Sequence, residues 1–260
     1  MKKKKEYEVI YEPSGRAREY SQLALNLANG CVHQCQYCYV AAFTNQKMED
    51  FHSKSTHRVN ILQKLERDLI KMKAKGDTRL VMLSFTTDPY QPIEGFNEMT
   101  REALKLFKKY DKSFHLLTKS GHLAANDFEL YQPGDWFASS LTFFHASNSQ
   151  RIEPNTATPN QRLEALRKAH DMGIKTWVSF EPVLIAEDTL NLYNASKDFV
   201  DFYKVGKITG YDEFPVDWDS FTNTIADLME KDEQPFFIKH DLRPHLKKPL
   251  SEYKYHKEMK

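Results

Sequence analysis

The chain has 260 residues, 40% of them hydrophobic and 13% aromatic, which is enough to fill the core of one large domain or a single α/β barrel. Its formal net charge of +1 excludes a global nucleic-acid field, so the lysines at 2–5 and the C-terminal run "RPHLKKPLSEYKYHKEMK" read as solvated basic ends. No apolar leader and no run long enough to span a membrane appears, and three closely spaced cysteines suit a reducing compartment; a cytoplasmic protein without membrane contact is expected.

In chain order, "LALNLA" (23–28) is the first buried strand, and it runs straight into "NGCVHQCQYCYV" (29–40), which holds every cysteine of the chain: Cys31, Cys35 and Cys38, spaced C-x3-C-x2-C. The periodicity then predicts a helix over 56–75, with Val59, Leu62, Leu65, Leu69 and Met72 on its buried stripe and Gly76 as its stop. A strand is expected in "TRLVMLSF" (78–85), a helix over 97–110, and strands in "SFHLLT" (113–118) and "WFASSLTF" (136–143). The helix of 158–172 carries its own punctuation. Thr158 is the N-cap, Pro159 sits at the first helical position, Gln161 completes a capping box, and Gly173 follows the end. Strands in "IKTWVSF" (174–180), "FVDFYKV" (199–205) and "PFFIKH" (235–240) follow, with a helix over 218–230 before the last.

Strand–helix alternation of this kind builds βαβ units and a parallel sheet. Six or seven units, with no G-x-G-x-x-G after the first strand, favour a partial (β/α)6-type TIM barrel with a possible seventh strand over an open doubly wound sheet. The expected division is an N-terminal extension over 1–20, the barrel over 21–242 and a basic tail over 243–260. Chemistry in such a barrel gathers at the C-terminal strand ends. Polar residues stand at nearly all of them: "TTDPYQPIE" (86–94), "TKS" (118–120), Ser139 and Ser140, "EPV" (181–183), "KVGKITG" (204–210) and "KHD" (239–241).

Clustered thiolates select zinc or iron–sulfur. A zinc site would recruit His33 to make Cys3His, although zinc ligands usually come as two separated pairs. A cubane [4Fe–4S] cluster takes four cysteines, and three would leave one iron open to a substrate or cofactor. From spacing alone both readings stand.

The cysteine motif, with Tyr37 directly before its third cysteine and a strand before the loop, resembles the radical S-adenosylmethionine superfamily. "LALNLANGCVHQCQYCYV" with "TTDPYQPIE" is similar to its spore photoproduct lyase-like branch, over roughly residues 20 to 240 in element order. The resemblance implies that Cys31, Cys35 and Cys38 bind three irons of a [4Fe–4S] cluster whose fourth iron is chelated by S-adenosylmethionine. It implies that reduction yields a 5′-deoxyadenosyl radical, which abstracts hydrogen from a substrate, with a flavodoxin- or ferredoxin-like protein as electron donor. Tyr37 would lie against the adenine, Thr87 and Asp88 near the cofactor's amino group, and Lys119 and Ser140 near its amino-acid or ribose end.

Bland readings accompany several of these residues. Asp88 can cap a turn, Lys119 can sit on a loop surface, and Glu181, Lys204 and Lys239 can form internal salt bridges. His33 can lie behind the cluster or on the loop surface. The branch's spore photoproduct lyases use an extra cysteine to return hydrogen to the product, and this chain has no fourth cysteine. No catalytic side chain is therefore assigned. The branch points to a nucleic-acid substrate and lyase chemistry, with Tyr253 and Tyr255 available to stack on bases and nearby lysines to meet phosphates. The alternatives are modification of a peptide or protein, and a non-catalytic zinc- or cluster-binding module that recognises nucleic acid.

Overall fold

In the computed structural model, which describes residues 6–208, 211 and 213–259, every apolar run becomes a strand of one parallel sheet. The strands are β1 (Leu23–Leu25), β2 (Ala28–Asn29), β3 (Thr56–His57), β4 (Val81–Leu83), β5 (Phe114–Thr118), β6 (Trp136–Ser140), β7 (Lys175–Val183), β8 (Phe202–Lys207) and β9 (Phe236–Ile238). Seven of them curl into a half-barrel in the order β1-β4-β5-β6-β7-β8-β9, while β2 and β3 form a small antiparallel pair. The seventh strand is therefore present.

The helices are α1 (Val40–Phe43), α2 (Met48–Ser53), α3 (Ile61–Lys75), α4 (Asn97–Lys109), α5 (Gly121–Ala124), α6 (Ala146–Ile152), α7 (Pro159–Asp171), α8 (Ala186–Ser196) and α9 (Trp218–Lys231). The capping box of α7 forms as expected: Thr158 Oγ1 accepts from the Gln161 amide, and the Gln161 side chain accepts from the Thr158 amide. The helix expected from residue 56 instead begins at Ile61, because Asn60 before it takes a left-handed conformation and residues 56–57 pair with β2. Val59, expected on the buried stripe, is 77% exposed. Helix α8 had no apolar period to announce it. Its buried face is half polar, built from Asp188, Thr189 and Ser196 beside Leu192 and Tyr193.

Side-chain alternation along the strands divides the core into two layers. Outward residues such as Leu23, Leu25, Val81, Leu116, Phe137, Val178 and Tyr203 pack with the helices. Inward residues Ala24, Met82, Ala138, Trp177, Phe202 and Phe237 gather around Tyr20.

Both sheet edges are covered by chain termini, a standard protection against edge pairing. Tyr11 pairs with Ala24 at the β1 edge through hydrogen bonds of 2.9 and 2.8 Å. From there the N-terminal segment crosses the open side of the half-barrel, where the Lys204 ammonium donates to the carbonyls of Glu19 and Tyr20, each at 2.8 Å. Asp68 holds the segment's start by accepting from the amides of Glu8, Val9 and Ile10.

At the other edge His256 pairs with Phe236. The segment over 243–259 is thus no solvated tail. Tyr253 is only 4% exposed and packs on Phe236, and Glu230 accepts from the amides of Lys254 and Tyr255. Burying a ring of this size is worth roughly 1.5–3 kcal/mol, and the neighbouring Lys248 and Lys254 stay exposed while it packs. Tyr253 is consequently not available for stacking on bases. The lysines at 2–5 and Lys260 lie outside the described residues.

Candidate active site at the barrel mouth

The cysteine loop leaves β1 and β2 at the C-terminal end of the sheet and is clamped from two sides. On one side, the Cys31 amide donates to the Phe51 carbonyl at 3.3 Å, and His52 Nδ1 donates to the Cys31 carbonyl at 2.6 Å. Gln91 Oε1 accepts from the Val32 amide at 2.8 Å, and Thr87 Oγ1 donates to the Gly30 carbonyl at 2.6 Å. Gly30 itself has φ +82°, and a Cβ there would fall on the Lys54 carbonyl oxygen, so only glycine lets the loop approach α2 this closely. On the other side, the Gln36 amide donates to Ile152 O, the Gln36 side chain to Arg151 O, and the Asn155 side chain to Val32 O.

The three thiols lie on this clamped loop, Cys35 buried and Cys31 and Cys38 half-buried, with Cys31 and Cys38 against Val40, Ala41 and Phe51. Burial, reinforced by Asp88, pushes the Cys31 thiol up to about 12, and burial raises Cys35 and Cys38 as well. Among the described residues, no three His, Cys, Asp or Glu side chains already stand in a metal-ligating arrangement. The donor set nonetheless fits an iron–sulfur cluster: soft sulfur ligands only, on one immobilised loop with an apolar backing.

The Cys3His zinc arrangement fits less well, because His33 is engaged elsewhere. Its side chain is buried, with Nε2 3.0 Å from Ser120 Oγ and Nδ1 3.5 Å from Asp88 Oδ2. Burial lowers its pKa, so it stands neutral as a strut behind the loop. Ser120, His33 and Asp88 follow the order of a hydrolase triad, but all three are buried and Asp88 is occupied by the Thr118 hydroxyl and two backbone amides.

Asp88 accepts from Thr118 Oγ1 at 2.7 Å, the Lys119 amide at 2.8 Å and the Tyr90 amide at 2.9 Å. Thr87 is committed to Gly30 and Gln91. Both residues therefore brace the loops around the site, with their polar atoms turned into the protein. Lys119, Tyr37 and Ser140 are brought together by a carboxylate that sequence reasoning missed. Glu153, whose side chain is wholly buried, accepts from the Tyr37 hydroxyl and, at 2.6 Å, from Arg162. Lys119 Nζ stands 4.0 Å from Glu153 and 5.7 Å from the Tyr37 ring centroid, while Arg162 also donates to Ser140 O at 2.9 Å. Burial works against the charge of Glu153, but Arg162 and Lys119 outweigh it and hold the carboxyl below its usual range. The available signal was Arg162 itself, a charged residue on the buried face of α7 beside Ala165, Leu166 and Ala169.

Across the mouth, the ends of β7, β8 and β9 bring together the pairs that the salt-bridge reading anticipated. Lys239 Nζ meets both Glu181 oxygens at 2.7 and 2.6 Å and lies 3.6 Å from Glu19. The Tyr20 hydroxyl bonds Glu181 and Ser179, and its ring lies under both Lys239 and Lys204. Gly206 makes room for this pair: a Cβ there would come within 2.8 Å of Glu181 Cδ and 2.9 Å of Lys239 Cδ. Glu181, 25% exposed at its side chain, is the member that faces out. The Phe85 ring meets both exposed Tyr39 and buried Tyr20 edge-on and so links the two walls.

Comparison with known proteins agrees with this geometry. A family model described as Radical SAM superfamily matches residues 25–199. The uncharacterized protein MJ0683 of Methanocaldococcus jannaschii is 29% identical over 187 residues, covering 70% of this chain and 69% of that protein. The uncharacterized protein ORF301 of Acidianus two-tailed virus is 30% identical over 184 residues, 66% of this chain but 60% of the viral protein.

Among solved structures, a spore photoproduct lyase variant with bound AdoMet and dinucleoside spore photoproduct superposes with a TM-score of 0.60 at 15% identity. That match covers 90% of this chain and 75% of the other. Streptococcus suis SuiB bound to S-adenosylmethionine gives a TM-score of 0.63 at 11% identity, over 83% of this chain and 49% of SuiB. At these identities the structural likeness is one of fold. Among the described residues no helix is long and apolar enough to cross a membrane.

Proposed function

Because the chain belongs to the radical SAM superfamily, we propose that its barrel mouth binds a [4Fe–4S] cluster on Cys31, Cys35 and Cys38 and S-adenosylmethionine beside it, for hydrogen abstraction from a substrate. The observation that carries this reading is the all-thiol loop, immobilised from both sides at the C-terminal end of a parallel half-barrel. When bound, cluster and cofactor supply one-electron cleavage of the sulfonium and a 5′-deoxyadenosyl radical; a flavodoxin- or ferredoxin-like protein would be the reductant.

The chain's own residues then have definite tasks. The hydrogen bonds from 51–52, 91 and 151–155 hold the three thiols in place, and Val40, Ala41 and Phe51 give Cys31 and Cys38 an apolar backing. Lys119 offers an ammonium to the cofactor's amino-acid end, Tyr37 a ring to its adenine, and Ser140 a hydroxyl. Thr87 and Asp88 act by bracing the loops that carry these groups. The Glu181–Lys239 wall faces the substrate, which must exchange hydrogen bonds with a partly exposed carboxylate. With the 243–259 segment packed on the sheet, a nucleic-acid substrate would have to be presented to the mouth itself. Its signature would be oligonucleotide binding by the full chain that weakens with salt. A peptide or protein entering the same mouth would show no such binding.

Anaerobic reconstitution with iron and sulfide tests the reading. The expected product is a brown protein with about four irons per chain that releases 5′-deoxyadenosine from S-adenosylmethionine on reduction. A colourless protein holding one stoichiometric zinc and leaving the cofactor intact overturns it.

A further inference from the structure

We propose that Glu153 is a positioning residue: it fixes where the Lys119 ammonium stands, so that this group meets the carboxylate at the cofactor's amino-acid end. The inference rests on the reading that the mouth binds S-adenosylmethionine.

The backbone of Lys119 is pinned on both sides, its amide to Asp88 and its carbonyl to the Ala157 amide at 2.9 Å. Its side chain is only 16% exposed, yet among the described residues Nζ makes no hydrogen bond. At 4.0 Å, Glu153 attracts the ammonium without taking any of its three N–H donors. A nearly buried ammonium with unused donors is costly unless a ligand or solvent satisfies it. Both oxygens of Asp88 and both of Glu153 already accept hydrogen bonds from other groups, so neither carboxylate supplies the acceptor that the ammonium lacks. The same Glu153 holds the hydroxyl of Tyr37, and Arg162 ties it to the Ser140 carbonyl. A glutamine in place of Glu153 would still offer the Tyr37 hydroxyl an acceptor, so the ring keeps its place, whereas Lys119 is held only by the charge. Without it, the long lysine chain would recover its rotamer freedom and extend toward solvent, and binding would have to reorder it.

The two ways in which Glu153 could matter have opposite signs. Removing a negative charge beside an anion site would tighten anion binding by simple electrostatics, whereas losing the position of Lys119 would weaken it.

Equilibrium dialysis of the reconstituted protein against two uncleaved ligands separates them: S-adenosylhomocysteine, which carries the amino-acid carboxylate, and 5′-methylthioadenosine, which lacks it. Glu153→Gln is expected to weaken S-adenosylhomocysteine about tenfold and to leave 5′-methylthioadenosine within about twofold. Lys119→Met should remove a similar increment, and the double variant should bind no more weakly than Lys119→Met alone. Should the Gln variant fail to retain iron, Glu153→Asp keeps the charge and its Arg162 partner while drawing the carboxylate back, and should show a smaller loss confined to S-adenosylhomocysteine. Equal losses on both ligands, tighter binding of S-adenosylhomocysteine, or additive losses in the double variant overturn the inference alone. Wild-type protein that binds neither ligand overturns the cofactor reading and the inference with it.

Discussion

On the cysteine-loop wall of the mouth, position is held by backbone: amides and carbonyls of 30–36 are tied to 51–52, 87, 91 and 151–155, and beside them the Lys119 ammonium makes no hydrogen bond among the described residues. On the facing wall, position is held by side chains: Lys239 pairs with Glu181 and Glu19, Lys204 donates to the Glu19 and Tyr20 carbonyls, and the Tyr20 ring lies against both lysines. The first wall leaves an ammonium with unused donors and so suits an anionic partner of constant shape. The second is internally balanced, so an incoming group must displace hydrogen bonds already made. A cofactor shared across a superfamily demands the first kind of site, whereas a substrate particular to one enzyme can use the second.

The largest test of this contrast replaces the thiols. Cys31→Ala, Cys35→Ala or Cys38→Ala should each lose iron and abolish cofactor cleavage, because a cubane held by two thiolates is poorly retained. Glu181→Gln, on the other wall, should keep both. Iron content by colourimetry and 5′-deoxyadenosine by chromatography decide it. Next in size, Arg162→Met strands Glu153 in the interior beside a more distant lysine, and should cost about 3–5 kcal/mol in denaturant unfolding. A loss below 1 kcal/mol would mean the carboxylate finds water, and the first wall would be less rigid than described.

The facing wall can be probed by pH. Burial, with Lys239 nearby, lowers Lys204 from 10.5 to about 7. Below pH 7 the amine is protonated in both folded and unfolded chains, and its burial penalty is fully present. Between pH 7 and 10.5 the unfolded chain binds the extra proton, so stability rises with pH. Relative to Lys204→Met, the wild type should gain on the order of 5 kcal/mol across that window; a gap that stays flat would place the ammonium in contact with solvent.

Gly206→Ala should push Glu181 and Lys239 apart and cost about 1–2 kcal/mol, with cofactor cleavage unchanged and the effect visible only on substrate turnover. The smallest expected effect is that of His33→Ala. Loss of the contact with Ser120 should cost about 1 kcal/mol while iron is retained. If this variant loses metal as fully as a cysteine variant, His33 is a ligand and the zinc arrangement regains its footing.

Much of this molecule can be read without coordinates. The seven apolar runs, the capping box of Thr158 and Gln161, and the three cysteines on one loop are local patterns, set within a strand or a few helical turns. Burial periodicity and capping act over four residues or fewer, so the local sequence by itself determined the parallel strands and the clustered thiols. Tertiary structure alone decided the rest. Val59 left the core because β2 and β3 pair before the helix begins, and Tyr253 entered it because an uncovered edge at β9 accepted the C-terminal segment. Glu153 meets Tyr37 across 116 residues, and Lys204 reaches the Glu19 carbonyl across 185. No local period encodes such meetings. They arise when a curling parallel sheet brings the ends of distant strands to one mouth, where buried charges must find partners among whatever side chains arrive there.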